Sequence, residues 1–81
     1  MGRTRIRCTL ITPEYVVYDC WIRGFIRKYY FTIVVNKKAS HPIIPTKEDF
    51  SYLGGELQDT YREMLRACEE GAKFIFESST N

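Results

Sequence analysis

Residues 25–35, FIRKYYFTIVV, are dominated by aromatic and β-branched side chains and follow Arg23-Gly24, a turn signal that itself follows another apolar run. β-Branched and aromatic residues fit a pleated, half-buried surface, and two such runs joined by a short turn form an antiparallel hairpin. With Arg23-Gly24 as a two-residue turn and Gly24 at positive φ, paired residue numbers sum to 47, so Asp19 faces Lys28 and Tyr18 faces Tyr29.

The preceding segments extend this hairpin into a sheet. RTRIRCTLI, residues 3–11, alternates, with Arg3, Arg5 and Arg7 on one face and Ile6, Cys8 and Leu10 on the other. In TPEYVVYDCWIRG, Thr12, Pro13 and Gly24 are placed as helix signals, yet Tyr15, Val16, Val17, Tyr18, Trp21 and Ile22 show no helical stripe. That segment reads as a strand. Alternation puts Val16, Tyr18, Cys20, Ile22, Phe25, Tyr29, Phe31, Ile33 and Val35 on the core face. Tyr15, Val17, Asp19, Trp21, Ile26, Lys28, Tyr30, Thr32 and Val34 fall on the other.

NKKASHPIIP leaves the sheet as a proline-marked connection, with Ile43 and Ile44 pinned on the core. Thr46 is then placed to cap a first helical piece, with Glu48 and Asp49 in its first turn. Gly54-Gly55 kinks it, and a longer helix runs from Glu56 to Glu70, with Gly71 as its C′ residue. Phe50, Leu53, Leu57, Tyr61, Met64, Leu65 and Cys68 share one stripe. AKFIFES reads as a closing strand. The expected architecture is one α+β domain over residues 1–81, in the order β-β-β-α-β: sheet 3–36, connection 37–46, kinked helical region 47–70 on one sheet face, and last strand 73–77.

The net charge of +2 conceals an uneven distribution. Residues 1–38 carry eight Lys or Arg against two acids, whereas residues 39–81 carry four against eight. The sheet half is basic and the helical half acidic.

No catalytic constellation emerges, so no enzyme is expected. His41 is the only histidine and stands in the connection before Pro42 with no identifiable nucleophile beside it. Cys8, Cys20 and Cys68 lack the close spacing of a zinc site and read as small apolar residues, so neither metal nor cofactor is expected. Asp59, Glu63 and Glu70 with Arg62 and Arg66 read as a solvated helix face, and Gly54-Gly55 matches no phosphate-loop pattern. No apolar run is long enough to span a membrane, and the basic start lacks a signal peptide's apolar stretch. Together with the absence of a C-x-x-C pair, this gives the reading of a cytoplasmic protein.

One helical region covers one face of a small sheet, so the second face is left for solvent or a partner. Arg3, Arg5, Arg7, Tyr15, Trp21, Lys28 and Tyr30 fall there and are the candidate partner-binding residues. Trp, Tyr and Arg dominate protein interface energetics, which points to a non-enzymatic regulator, adaptor or inhibitor that docks a protein partner. The alternative is single-stranded nucleic acid, with bases on the rings and phosphates on the cations. The RNA-recognition signature is echoed at Arg23, Gly24, Phe25 and Tyr30 but broken at Ile26, Arg27 and Lys28, so no family is assigned. A homodimer burying the same face is the third reading.

Overall fold

The computed structural model describes residues 4–24, 27–39, 41–43 and 55–78. Among these residues three strands, β1 (Thr4–Ile11), β2 (Tyr15–Arg23) and β3 (Lys28–Asn36), are followed by one helix, α1 (Gly55–Ser78). The strands form an antiparallel sheet in chain order, β1-β2-β3. This is the expected α+β arrangement, without its closing strand.

Residues 13–23 had competing helix signals, and local hydrogen bonding resolves them. Thr12 does cap, but it caps a turn. Its Oγ1 accepts from the Tyr15 N–H at 2.9 Å and its own N–H donates to the Tyr15 carbonyl at 2.8 Å. The chain therefore reverses at Thr12–Tyr15, and β2 returns beside β1.

The β2–β3 register differs from the one expected. Paired residue numbers sum to 51, so Asp19 faces Thr32, Tyr18 faces Ile33, and Lys28 faces Arg23. The connection is longer than two residues and is closed by the Gly24 N–H donating to the Arg27 carbonyl at 2.8 Å. Gly24 does not adopt positive φ. What it supplies is close approach, since a Cβ there would lie 2.8 Å from Tyr29 Cε2 and 2.9 Å from the Arg27 carbonyl oxygen. The displacement is an even number of residues, so every side chain keeps its face. Val16, Tyr18, Cys20, Ile22, Phe31 and Ile33 are buried, with Tyr29 and Val35 packed at their margin. Phe25 and Ile26 lie outside the described residues.

β1 carries a bulge between Cys8 and Leu10. Up to Cys8 the alternation is as expected, with Arg5 facing Trp21 and Arg7 facing Asp19. Beyond it Leu10 pairs with Val17, so Leu10 joins the outer face, against the expectation that grouped it with Ile6 and Cys8. One extra residue in a strand inverts all later alternation. Thr9 marks the site, its hydroxyl donating to the Val17 carbonyl at 3.3 Å.

The largest correction concerns residues 73–77, which are helical. The stripe Met64, Cys68, Ala72 and Phe76 recurs every four residues and is buried throughout, carrying the helix past Gly71 to Ser78. Phe74 and Phe76, expected on a common strand face, diverge: Phe74 is 71 % exposed and Phe76 is buried. Gly71 is thus an interior position packed under Tyr18, whose hydroxyl would stand 3.0 Å from a Cβ there. The first helical piece, with Thr46, Phe50 and Leu53, lies outside the described residues.

α1 packs on β2 and β3. Ile22, Ile33 and Val16 are at most 1 % exposed, and burying such side chains contributes about 1.5 to 3 kcal/mol each. The Tyr61 ring meets the Phe31 ring edge-on at 5.1 Å. After β3 the chain turns back, with the Lys38 N–H donating to Asn36 Oδ1. Ile43 then exchanges two backbone hydrogen bonds with Val34, at 2.7 and 2.6 Å. The Ile43 side chain is exposed rather than pinned on the core, and Ile44 lies outside the described residues.

Candidate interaction surface

The sheet face opposite α1 is built from cross-strand rows that the register defines. Arg5, Trp21 and Tyr30 form one row; Arg7, Asp19 and Thr32 form the next; Leu10, Val17 and Val34 form the third. At one end Arg23 faces Lys28. Antiparallel partners in a row have Cβ atoms about 4.5 to 5.5 Å apart, so each row acts as one contact unit.

Four of the expected residues come together. Arg5, Trp21 and Tyr30 are neighbours, and Lys28 Nζ stands over the Trp21 ring at 4.9 Å from its centroid, a cation–π contact. Arg7 lies one row away, next to Asp19, whose Oδ1 accepts from the Thr32 hydroxyl at 3.5 Å. Tyr15 does not join them. It sits at the opposite end of β2, six positions from Trp21, roughly 20 Å along a strand. Arg3 lies outside the described residues.

The same face holds two residues that sequence reading missed. Arg23, read as a turn residue, is the last residue of β2 and adds a cation beside Lys28. Its spacing of two from Trp21 is a detectable signal once the strand is carried to its end. Leu10 reaches this face only through the bulge, which no residue type announces. Arg5, Arg7, Arg23 and Lys28 therefore stand against the single acid Asp19, whereas α1 carries six acids and three bases. Among the described residues the outer sheet face is thus net basic and α1 net acidic.

The rings differ in availability. Tyr30 is 63 % exposed, whereas Trp21 is half-buried beneath Lys28. On the opposite side of the sheet, burial pushes the Tyr18 hydroxyl up to about 12 and raises Tyr61 as well. A hydrogen bond to Cys68, together with burial, holds the proton on Cys20 and pushes its thiol up.

A cleft of about 600 Å³ lies between the end of β3 and the last turns of α1, lined by Lys37, His41, Glu70, Lys73, Phe76 and Glu77 among others. Among the described residues no group of three or more His, Cys, Asp or Glu side chains is placed to hold a metal ion, and no helix is long and apolar enough to cross a membrane. Comparison with protein families, with curated proteins and with solved structures finds no match.

Proposed function

We propose that this protein is a small non-enzymatic regulator, adaptor or inhibitor that docks on an acidic surface of a protein partner through the outer sheet face. The observation that carries the proposal is the Arg5–Trp21–Tyr30 row with Lys28 over the tryptophan ring, on a face that no described element covers. Arg, Trp and Tyr are the residue types on which interface energy concentrates, and this row sets them side by side. The four cations around one acid favour an acidic counterpart and a fast, salt-sensitive encounter. Three strands of about eight residues present a flat area of roughly 400 Å², half of what each partner contributes to a standard interface. The face alone suits a transient complex whose effect is steric.

Single-stranded nucleic acid is the competing occupant. Base stacking needs open ring faces, and here Lys28 already occupies one face of Trp21, which leaves Tyr30 as the accessible ring. This favours protein over nucleic acid.

Trp21→Ala and Tyr30→Ala are each expected to weaken a captured partner's binding at least about tenfold while the fold is retained by circular dichroism. Unchanged binding in both variants overturns the proposal. Titration of labelled single-stranded oligonucleotides at about 50 and 200 mM salt tests the alternative, because several phosphate contacts cause a steep loss of affinity between these conditions. Steeply salt-dependent oligonucleotide binding that Tyr30→Ala abolishes would replace the protein partner with nucleic acid.

A further inference from the structure

The two edges of the sheet are treated differently. At β3 the outer edge is met by Ile43, which exchanges two backbone hydrogen bonds with Val34. β1 has β2 on one side and, among the described residues, nothing on the other. All eight residues of β1 are exposed, on both faces, because α1 packs on β2 and β3. An exposed edge is a row of unpaired backbone donors and acceptors, a template for an added strand.

The side chains along that edge specify what the added strand must carry. Between Thr4 and Cys8 the ladder is regular; beyond Cys8 the bulge breaks it. Within the regular stretch Arg5 and Arg7 point to the outer face, and Ile6, 38 % exposed, points to the helix side. A strand laid against it sets its side chains opposite these residues, alternating between faces. Acids two positions apart would oppose Arg5 and Arg7, and an apolar residue between them would cover Ile6.

A second copy of this chain fits poorly. Two-fold antiparallel pairing centred on Ile6, the midpoint of the regular stretch, sets Arg5 of each copy against Arg7 of the other, and like charges directly opposite are destabilising.

We infer that the β1 edge is a binding site for an extended peptide segment of alternating acidic and apolar residues, which adds as a fourth strand with its acids facing Arg5 and Arg7. The site is separate from the Trp21–Tyr30 patch and does not depend on that patch's having a partner. It shares with it only the arginine row. Its occupant supplies backbone hydrogen bonds to the edge, apolar cover for Ile6 and charge neutralisation.

The probe is a fluorescein-labelled, N-acetylated octapeptide alternating Val and Glu, titrated by anisotropy against the full chain. Saturable binding is expected, weakened at least about tenfold by the double substitution Arg5→Glu and Arg7→Glu, whose exposed positions leave the core untouched. The same peptide N-methylated along one edge keeps its charge and apolar content but loses its donors, and is expected not to bind. Tyr30→Ala, two strands away, is expected to leave peptide affinity unchanged even where it abolishes docking on the outer face. The inference is overturned by equal binding of the N-methylated or of a Lys-for-Glu peptide, by no binding at all, or by loss of binding in Tyr30→Ala. A dimeric free protein by light scattering, or β1 edge amides already protected from hydrogen exchange without peptide, overturns it equally.

Discussion

Gly71 offers the sharpest test of how helix and sheet fit together. In the interior of a helix, Gly→Ala is worth about 1 kcal/mol of added stability through backbone entropy. Here an alanine Cβ would stand 3.0 Å from the Tyr18 hydroxyl oxygen and 4.0 Å from the ring carbon that bears it. The first distance is too short and the second is ordinary contact. Tyr18 is 6 % exposed and enclosed by the core, so its ring yields by leaving its preferred rotamer, at a cost of order 0.5 to 1.5 kcal/mol. The two terms nearly cancel, and Gly71→Ala alone is expected to change stability by less than about 0.5 kcal/mol. Removing the hydroxyl removes the penalty alone. In a Tyr18→Phe background the same substitution should therefore stabilise by about 1 kcal/mol, or roughly 4 to 8 °C in Tm for a chain of this size. Urea unfolding of the four proteins of the cycle, monitored by far-ultraviolet circular dichroism, gives the coupling energy directly. Destabilisation by alanine in both backgrounds would refute the reasoning, because it would mean that position 71 ends the helix and needs glycine's backbone.

Two further outcomes follow from burial. Of the three thiols, Cys8 is exposed and Cys20 and Cys68 are buried, so Ellman's reagent under native conditions should titrate one rapidly, with the other two reacting only on unfolding; three fast thiols would contradict the packing of α1 on β2. The fold keeps Tyr18 neutral up to about 12, whereas an unfolded tyrosine ionises near 10. Its contribution to stability is complete below pH 10 and lost as pH rises from 10 through 12, so the urea midpoint should fall across that window, with a smaller fall in Tyr18→Phe. An equal fall in both proteins would assign the alkaline transition to other groups.

What the chain's own pattern makes legible is a matter of range. Alternation is a property of adjacent residues, and it assigns residues 15–22 of β2 and 28–35 of β3 to their correct faces, while Arg23, taken into the turn, gets none. The register depends on the turn, where the residue type of Gly24 implies positive φ but the glycine instead lets Tyr29 approach the backbone. The faces survived because the slip was even. At Thr9 an odd insertion had the opposite effect and carried Leu10 across the sheet. Gly71 has the local signature of a helix end, and only the contact with Tyr18 and the burial of Ala72 and Phe76 reveal why a glycine lies inside the helix. The patch followed the same logic. Trp21, Tyr30 and Arg5 were legible as sharing a face, but their adjacency in one row required the register, and the register also sets Tyr15 apart from them.

The exposure of β1 follows from dimensions. A helix with its side chains is about 10 Å across, and three strands at a spacing of about 4.8 Å span roughly 14 Å, so one helix centred on two strands leaves the third uncovered. α1 is placed this way, over β2 and β3. β1 is then held by its ladder to β2 and contributes no buried side chain. Charged side chains and a bulge are the features that keep such an edge from pairing with its own kind, and β1 has both, in Arg5, Arg7 and the irregularity at Thr9. Protection of this kind is selective. The arginines that repel a second copy are attractive to a strand of opposite charge, and the regular stretch before the bulge is long enough to seat two acids. On the proposed edge pairing the discrimination is by sign, because the same two side chains that disfavour pairing with the β1 edge of a second copy would hold an acidic strand.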